Sequence, residues 1–246
     1  MYSITIEQAS VVYPVLNHNQ KSLASRVKKV AIGGSIRDDN GVVSITALDN
    51  ISVRINEGDR IGILGRNGAG KTTLLRLITG VYAPVGGRIE VKGQVSSLID
   101  IQLGLNGNLN GDENIRLRSL YMGISRQEIE QKINEIADFS ELGEYLDLPL
   151  NTYSSGMKIR LAFAVATGFE PDVMIMDEWM SAGDSVFRVK ARERLLRLVD
   201  ESKIFVIASQ MPSLHRKLCT KGLVLDKGRV IFYGPIDEAL DMVPQK

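Results

Sequence analysis

Apolar residues recur along this chain in two rhythms, and the alternation between them lays out the elements. Near the amino end Ile4-Thr5-Ile6 and Val11-Val12-Tyr13 predict short strands, the second ending at Pro14. Residues 47–55 alternate in the same way, Asn56-Glu57-Gly58-Asp59 is a turn, and Arg60-Ile61-Gly62-Ile63-Leu64 is a short apolar strand feeding a glycine-rich loop. A helical period follows over residues 72–79. After a turn at Pro84, Gly86 and Gly87, residues 88–91 and 94–98 read as a hairpin. Past an Asn- and Gly-rich stretch at 105–111, helical spacing runs over 113–122, 126–139 and 154–167. Residues 172–177 and 204–209 have the composition of buried strands, with a helix over 186–200 between them. A hairpin of 223–227 and 229–233 turns around Gly228, and a helix over 235–242 closes the pattern.

Apolar strands alternating with helices imply an α/β fold with a mainly parallel core sheet and antiparallel N-terminal strands. The three successive helical patterns between residues 105 and 167 predict a helical subdomain inserted into it. Residues 17–46 interrupt the scheme. Lys21, Arg26, Lys28 and Lys29 cluster there, and Leu23, Val27 and Val30 have helical spacing, which gives a short basic amphipathic helix over about 21–30. Gly33-Gly34 and Asp38-Asp39-Asn40-Gly41 then predict a loop without regular structure.

Composition narrows the function. The 246 residues are 44% apolar, enough for one substantial core, and their net charge of +1 gives no electrostatic case for a nucleic-acid partner. The single cysteine, Cys219, cannot form an internal disulfide and reads as a small buried apolar residue. The amino end lacks the basic start and apolar run of a secretory signal, and no apolar stretch approaches the ~20 residues of a membrane helix. The expectation is a cytoplasmic chain that meets a membrane only through a partner.

Two segments carry chemistry. Gly65-Arg66-Asn67-Gly68-Ala69-Gly70-Lys71-Thr72 fits G-x-x-x-x-G-K-[ST], with a strand before it and a helix, opening with Thr72 and Thr73, after it. Glycines let backbone N–H groups wrap phosphates, the helix N-terminus adds positive potential, Lys71 supplies a point charge and the Thr72 hydroxyl can ligate Mg²⁺. About 100 residues on, Asp172-Val173-Met174-Ile175-Met176-Asp177-Glu178 is an apolar strand ending in two acids. Asp177 can reach the Mg²⁺ shell, and Glu178 can orient or deprotonate an attacking water.

With Tyr153-Ser154-Ser155-Gly156-Met157 lying between these two motifs, nearly the whole chain resembles an ABC ATPase of the P-loop NTPase class. The resemblance implies a homodimer binding two Mg-ATP, in which Ser154, Ser155 and Gly156, just before a helix starting near Met157, meet the γ-phosphate held by the opposite copy. It implies that Tyr13 stacks on adenine and that Ser181-Ala182-Gly183-Asp184 touches the other copy. The loop that carries a Mg²⁺-contacting side chain offers either Asp100 or Gln102. The Tyr-Ser-Ser-Gly-Met form, the segment between Tyr13 and Ala47, and the passage from Leu98 to Ile115 are similar to the subgroup that exports bacterial polysaccharides such as O-antigen, capsule and teichoic acid. The chain is then expected to be the ATP-hydrolysing subunit, peripheral at the cytoplasmic face of the inner or plasma membrane, beneath a multi-spanning membrane subunit. If the chain is complete at Lys246, soon after the last predicted helix, no C-terminal carbohydrate-binding domain is expected. Readings left open are an ABC transporter subunit for another substrate, such as a lipid or drug, and a soluble ABC protein without transport function.

One position departs sharply from the family pattern. In Ile207-Ala208-Ser209-Gln210 the resemblance implies a histidine where Gln210 stands, and neither His18 nor His215 falls there. Glutamine can hydrogen-bond a phosphate but cannot become a cation. Either the protein is naturally slow or Gln210 is a substitution that traps ATP. His215 is expected to face solvent or to cap a helix.

Overall fold

A computed structural model of the protein describes residues 1–14, 35–39, 42–178 and 185–243. The predicted basic helix over 21–30 and Ser181–Asp184 lie outside the described residues. The chain divides into two compact units: Met1–Gly93 with Met176–Glu178 and Ile204–Lys246, and Gln94–Ile175 with Trp179–Lys203.

The first unit contains two sheets. Strands β1 (Ser3–Pro14), β2 (Ser35–Asp39), β3 (Val42–Asn56) and β5 (Gly86–Lys92) form an antiparallel sheet in the order β2-β3-β1-β5. The two short strands predicted before Pro14 are one bulged strand, with register shifts between Ile6 and Val12 and Gln8 at φ 49°. The loop expected across Asp38-Asp39 is likewise corrected. Ser35–Asp39 pairs antiparallel and in register with Val42–Thr46, so part of the stretch read as a loop is a strand, while Asn40-Gly41 lies outside the described residues. Largely polar composition concealed this strand, whose backbone partners come from β3.

The second sheet runs β10-β9-β4-β8, from β4 (Arg60–Leu64), β8 (Ile204–Ala208), β9 (Lys221–Asp226) and β10 (Arg229–Pro235), with the end of β7 (Val173–Asp177) beside β8. β4 is parallel to both β8 and β9, while β9 and β10 form the predicted hairpin. All five residues of β8 are buried, and so are Ile61 to Leu64, which is why both read as continuous apolar runs. Helix α1 (Lys71–Ile78) follows the glycine-rich loop and buries Leu74, Leu75, Leu77 and Ile78. Helices α6 (Pro212–Leu218) and α7 (Ile236–Asp241) complete this unit, and α6 has no counterpart in the periodicity.

The other unit holds helices α2 (Gly111–Tyr121), α3 (Arg126–Ser140), α4 (Ser155–Ala166) and α5 (Ser185–Glu201), with strand β6 (Val95–Ser97) parallel to β7. The hairpin expected from residues 88–91 and 94–98 does not form, because β5 pairs with β1 and β6 with β7. Ile115, Ile129, Ile133, Ile136, Leu161 and Phe169 are among the residues of its core. Its helix starts are written locally. Asn110 Oδ1 accepts from Glu113 N at 2.8 Å while Glu113 Oε2 accepts from Asn110 N at 2.9 Å, a reciprocal capping box. No helix among the described residues is long and apolar enough to cross a membrane.

Candidate functional site

The loop from Gly65 to Gly70 can take its path only because three of its residues are glycines, and two positions make the reason explicit. Gly70 sits at φ 107°, and a Cβ there would come within 2.8 Å of Ala47 O; Gly65, at φ 139°, would drive one into Leu225 O. The loop thus closes tightly against β3 and β9 and delivers the N-terminus of α1, with no acidic residue in its first turn, to the open side. Ala69 is buried, whereas Arg66, Asn67 and Gly68 are exposed.

Lys71 Nζ donates to Gly65 O at 2.8 Å and to Arg66 O at 3.1 Å, so the ammonium hangs over the loop carbonyls. Burial pulls its pKa below the ordinary lysine value, and the nearby Asp177 and Glu178 carboxylates oppose that shift. Thr72 Oγ1 donates to Asp177 Oδ2 at 2.7 Å across 105 residues of sequence. A hydroxyl and a carboxylate so disposed fit Mg²⁺, which takes few protein ligands and completes its octahedron with waters and phosphate oxygens. Among the described residues no cluster of three or more His, Cys, Asp or Glu forms a dedicated metal cage.

Glu178 is exposed next to Asp177 and adopts φ 63°, a left-handed conformation uncommon for glutamate. Its N–H donates to Ala208 O at 2.7 Å, which locks the turn at the end of β7 to β8. Gln210, just beyond β8, donates from Nε2 to Asn67 Oδ1 at 2.7 Å. Sequence reasoning had no signal for that contact, which joins two loops 143 residues apart.

Tyr13 OH donates to Thr73 Oγ1 at 3.3 Å, and its ring meets Tyr82 edge-on with centroids 5.4 Å apart. Burial raises the Tyr13 pKa above the ordinary phenol value. Tyr13, Asn67, Gly68, Lys71, Thr72, Asp177, Glu178 and Gln210 all line one cavity of about 550 Å³. That volume suits a bound small molecule. The Lys71 ammonium, the loop backbone and the N-terminus of α1, with an aromatic ring among the lining residues, suit a nucleoside polyphosphate.

The remaining sequence-predicted residues belong to the second unit. The helix near Met157 starts two residues earlier than expected, at Ser155, and Ser154 is its N-cap, with Oγ accepting from Met157 N at 3.2 Å. Ser154 and Ser155 are exposed and Gly156 is half-buried, so the first turn of α4 opens to solvent with no acid in it. Asp100, at φ 50°, and Gln102 both lie on exposed turns after β6, linked by Leu103 N to Asp100 O and Leu105 N to Gln102 O.

His215 is corrected outright: it neither faces solvent nor caps a helix but is fully buried on α6. Its isolated position in a polar stretch gave no hint of burial, because α6 itself was not visible in the periodicity. Cys219 is buried and free, as expected.

Comparison with known proteins agrees with this geometry. The family model described as ABC transporter matches residues 48–181. The chain is 40% identical over 244 residues to the O-antigen export system ATP-binding protein RfbE of Yersinia enterocolitica, covering 99% of this chain and 100% of that one. It is 35% identical to the teichoic acids export ATP-binding protein TagH of Staphylococcus haemolyticus, covering 99% and 88%. Against TagH of Bacillus anthracis identity is 43%, but the match spans only 35% of that longer protein. Among solved structures, the dimeric post-hydrolysis ATP-binding cassette MJ0796 bound to ADP and Pi superposes with a TM-score of 0.66 at 19% identity, covering 95% of this chain and 98% of that one. An ATP-binding subunit of an ABC transporter gives 0.68 at 20%, covering 96% and 90%. Phosphate loop, acid-ended strand and family match converge, and the chain belongs to the ABC transporter family as one of its ATPase cassettes.

Proposed function

We propose that this cassette hydrolyses Mg-ATP to drive export of a lipid-linked polysaccharide, acting as a homodimer beneath a membrane subunit. The observation that carries the nucleotide half is the 2.7 Å bond from Thr72 to Asp177, which assembles hydroxyl, carboxylate, lysine and helix N-terminus around one cavity. The transport half is supported by the full-length likeness to an O-antigen export ATP-binding protein.

Phosphates bind to the loop N–H groups and the N-terminus of α1, and Lys71 leaves the Gly65 and Arg66 carbonyls for the β- and γ-phosphate oxygens. Thr72 and Asp177 would hold Mg²⁺, which when bound would supply positive charge to the phosphate oxygens. Glu178 orients a water and takes its proton as that oxygen bonds to the γ-phosphorus and the bond to the β,γ-bridging oxygen breaks, releasing ADP. Gln210 turns its amide from Asn67 to the γ-phosphate, donating a hydrogen bond without supplying a proton. Tyr13 stacks on adenine. The helix N-terminus at Ser154, Ser155 and Gly156 closes on the γ-phosphate bound by the other copy. Asp100 or Gln102 would supply the further Mg²⁺-contacting side chain.

The test is co-purification of the Glu178→Gln chain with its membrane subunit, alongside the unaltered transporter, in cells analysed for surface glycan. The expected result is a stable complex and loss of the surface polymer. Normal glycan with loss of a lipid or drug-efflux phenotype would transfer the cassette to another substrate class.

A further inference from the structure

The turn between β8 and α6 carries Gln210 with open space on two sides. Gln210 lines the 550 Å³ nucleotide cavity and also a second cavity of about 500 Å³, which Asn67, Ser209, Pro212 and His215 border. Few contacts can therefore set where its amide sits. One is the bond to Asn67, which the nucleotide reading requires Gln210 to give up. Another is internal, Met211 N donating to Ser209 Oγ at 3.1 Å. A third comes from below: His215 Nε2 lies 2.9 Å from Ser209 O.

That third contact is specific. A carbonyl oxygen only accepts, so Nε2 must carry the hydrogen and donate it. Nδ1 is then the acceptor of a neutral ring, and Cys219 Sγ, a weak thiol donor, lies 3.9 Å from it. Burial pushes the Cys219 thiol up to about 12, so it keeps its proton. The imidazole also needs the glycine opposite it on β4, because a Cβ on Gly62 would come within 2.6 Å of Nδ1. Strand, helix and thiol thus hold one polar ring at 0% exposure, aimed at the residue before Gln210.

We propose that His215 is a positioning residue for ATP hydrolysis, holding the Ser209 carbonyl from beneath so that Gln210 presents its amide to the γ-phosphate. This rests on the reading of Gln210 given above. Where the family pattern has a histidine on the turn itself, this chain has a glutamine on the turn and a buried histidine under it.

The experiment is steady-state ATPase kinetics of the full chain with His215→Leu, His215→Asn, His215→Gln, Gln210→Ala, and His215→Leu combined with Gln210→Ala. Leucine has no donor, and the asparagine amide reaches only the Nδ1 position; asparagine also serves should the leucine variant not fold. Both should lower kcat about tenfold, the worth of one buried hydrogen bond, with KM for ATP within about twofold. Glutamine, whose amide reaches the Nε2 position, should restore most of the loss. In the Gln210→Ala background, His215→Leu should change kcat by less than about twofold, since two residues acting through one contact are not additive. An equal loss in both backgrounds, or a glutamine variant as slow as leucine, makes His215 a packing residue and overturns the proposal. Unchanged turnover in Gln210→Ala removes the role of Gln210 itself, whereas a slow Gln210→Ala beside normal His215 variants removes only His215.

Discussion

Lys71 spends its charge on two backbone carbonyls, so its ammonium is free to transfer to an incoming phosphate at little cost. Lys71→Ala should therefore abolish ATP turnover and weaken ATP binding in a fluorescence titration, while melting at nearly the unaltered temperature. Gln210 lies at the opposite extreme, a neutral amide where the family pattern has an ionisable ring. Gln210→His restores a group that can position the water and shuttle a proton, effects worth roughly 10²–10⁴-fold when fully engaged. A rise in kcat is expected, and an equal or lower rate would mean that this turn works with glutamine by a different arrangement. His215 titrates against the fold. Burial lowers its pKa from the ordinary value of 6.5, with the Ser209 bond opposing and Lys71 adding to the shift. The unfolded chain then binds the proton more readily, so this contribution to stability is present above about pH 6.5 and lost as pH falls through the folded value. Urea unfolding at about pH 7.5 and about pH 5.5 should show that loss, and His215→Leu should flatten it.

Elements start and stop here where local chemistry tells them to, which makes their ends open to test. The Asn110–Glu113 capping box satisfies two backbone donors at once, at the head of α2. Asn110→Ala should cost about 1 kcal/mol. That corresponds to a drop of roughly 2–4 °C in Tm for a chain of this size. Scanning calorimetry measures it directly, and an unchanged Tm would mean that solvent caps this end equally well. Partners of strands, by contrast, were hidden. β5 and β6 follow each other in sequence with only two residues between them, yet one pairs antiparallel with β1 and the other parallel with β7. β2 is polar at four of its five positions and still has five paired residues on β3.

At the scale of the whole molecule, the proposed dimer and the segment ahead of β2 are the points to challenge. Glu178→Gln keeps the hydrogen-bonding shape of the side chain and removes its basicity, so Mg-ATP should bind, hydrolysis should stop and the closed dimer should accumulate on sizing chromatography. A variant hydrolysing at the unaltered rate would take Glu178 out of the reaction. A Gly-Ser linker across residues 17–34, sparing β2, should leave ATP hydrolysis by the purified chain intact while reducing export in cells, since basic residues near an anionic leaflet can each contribute about 1 kcal/mol of attraction. Undiminished export would make the segment a passive connection.

The phosphate loop, the acid-ended strand, the continuous apolar strands and most helices could be read from the sequence because each depends on neighbours within a few residues: backbone N–H groups in succession, a period of 3.6 or 2, a cap three positions from its donor. Tertiary structure alone decided the rest. Thr72 meets Asp177 over 105 residues and Gln210 meets Asn67 over 143, Ser35–Asp39 joins a sheet despite its polarity, and His215 goes inside beneath the turn it supports. Hydrogen-bond partners and burial are properties of where distant segments come together, and a local pattern of apolar and polar residues carries no record of which segment that will be.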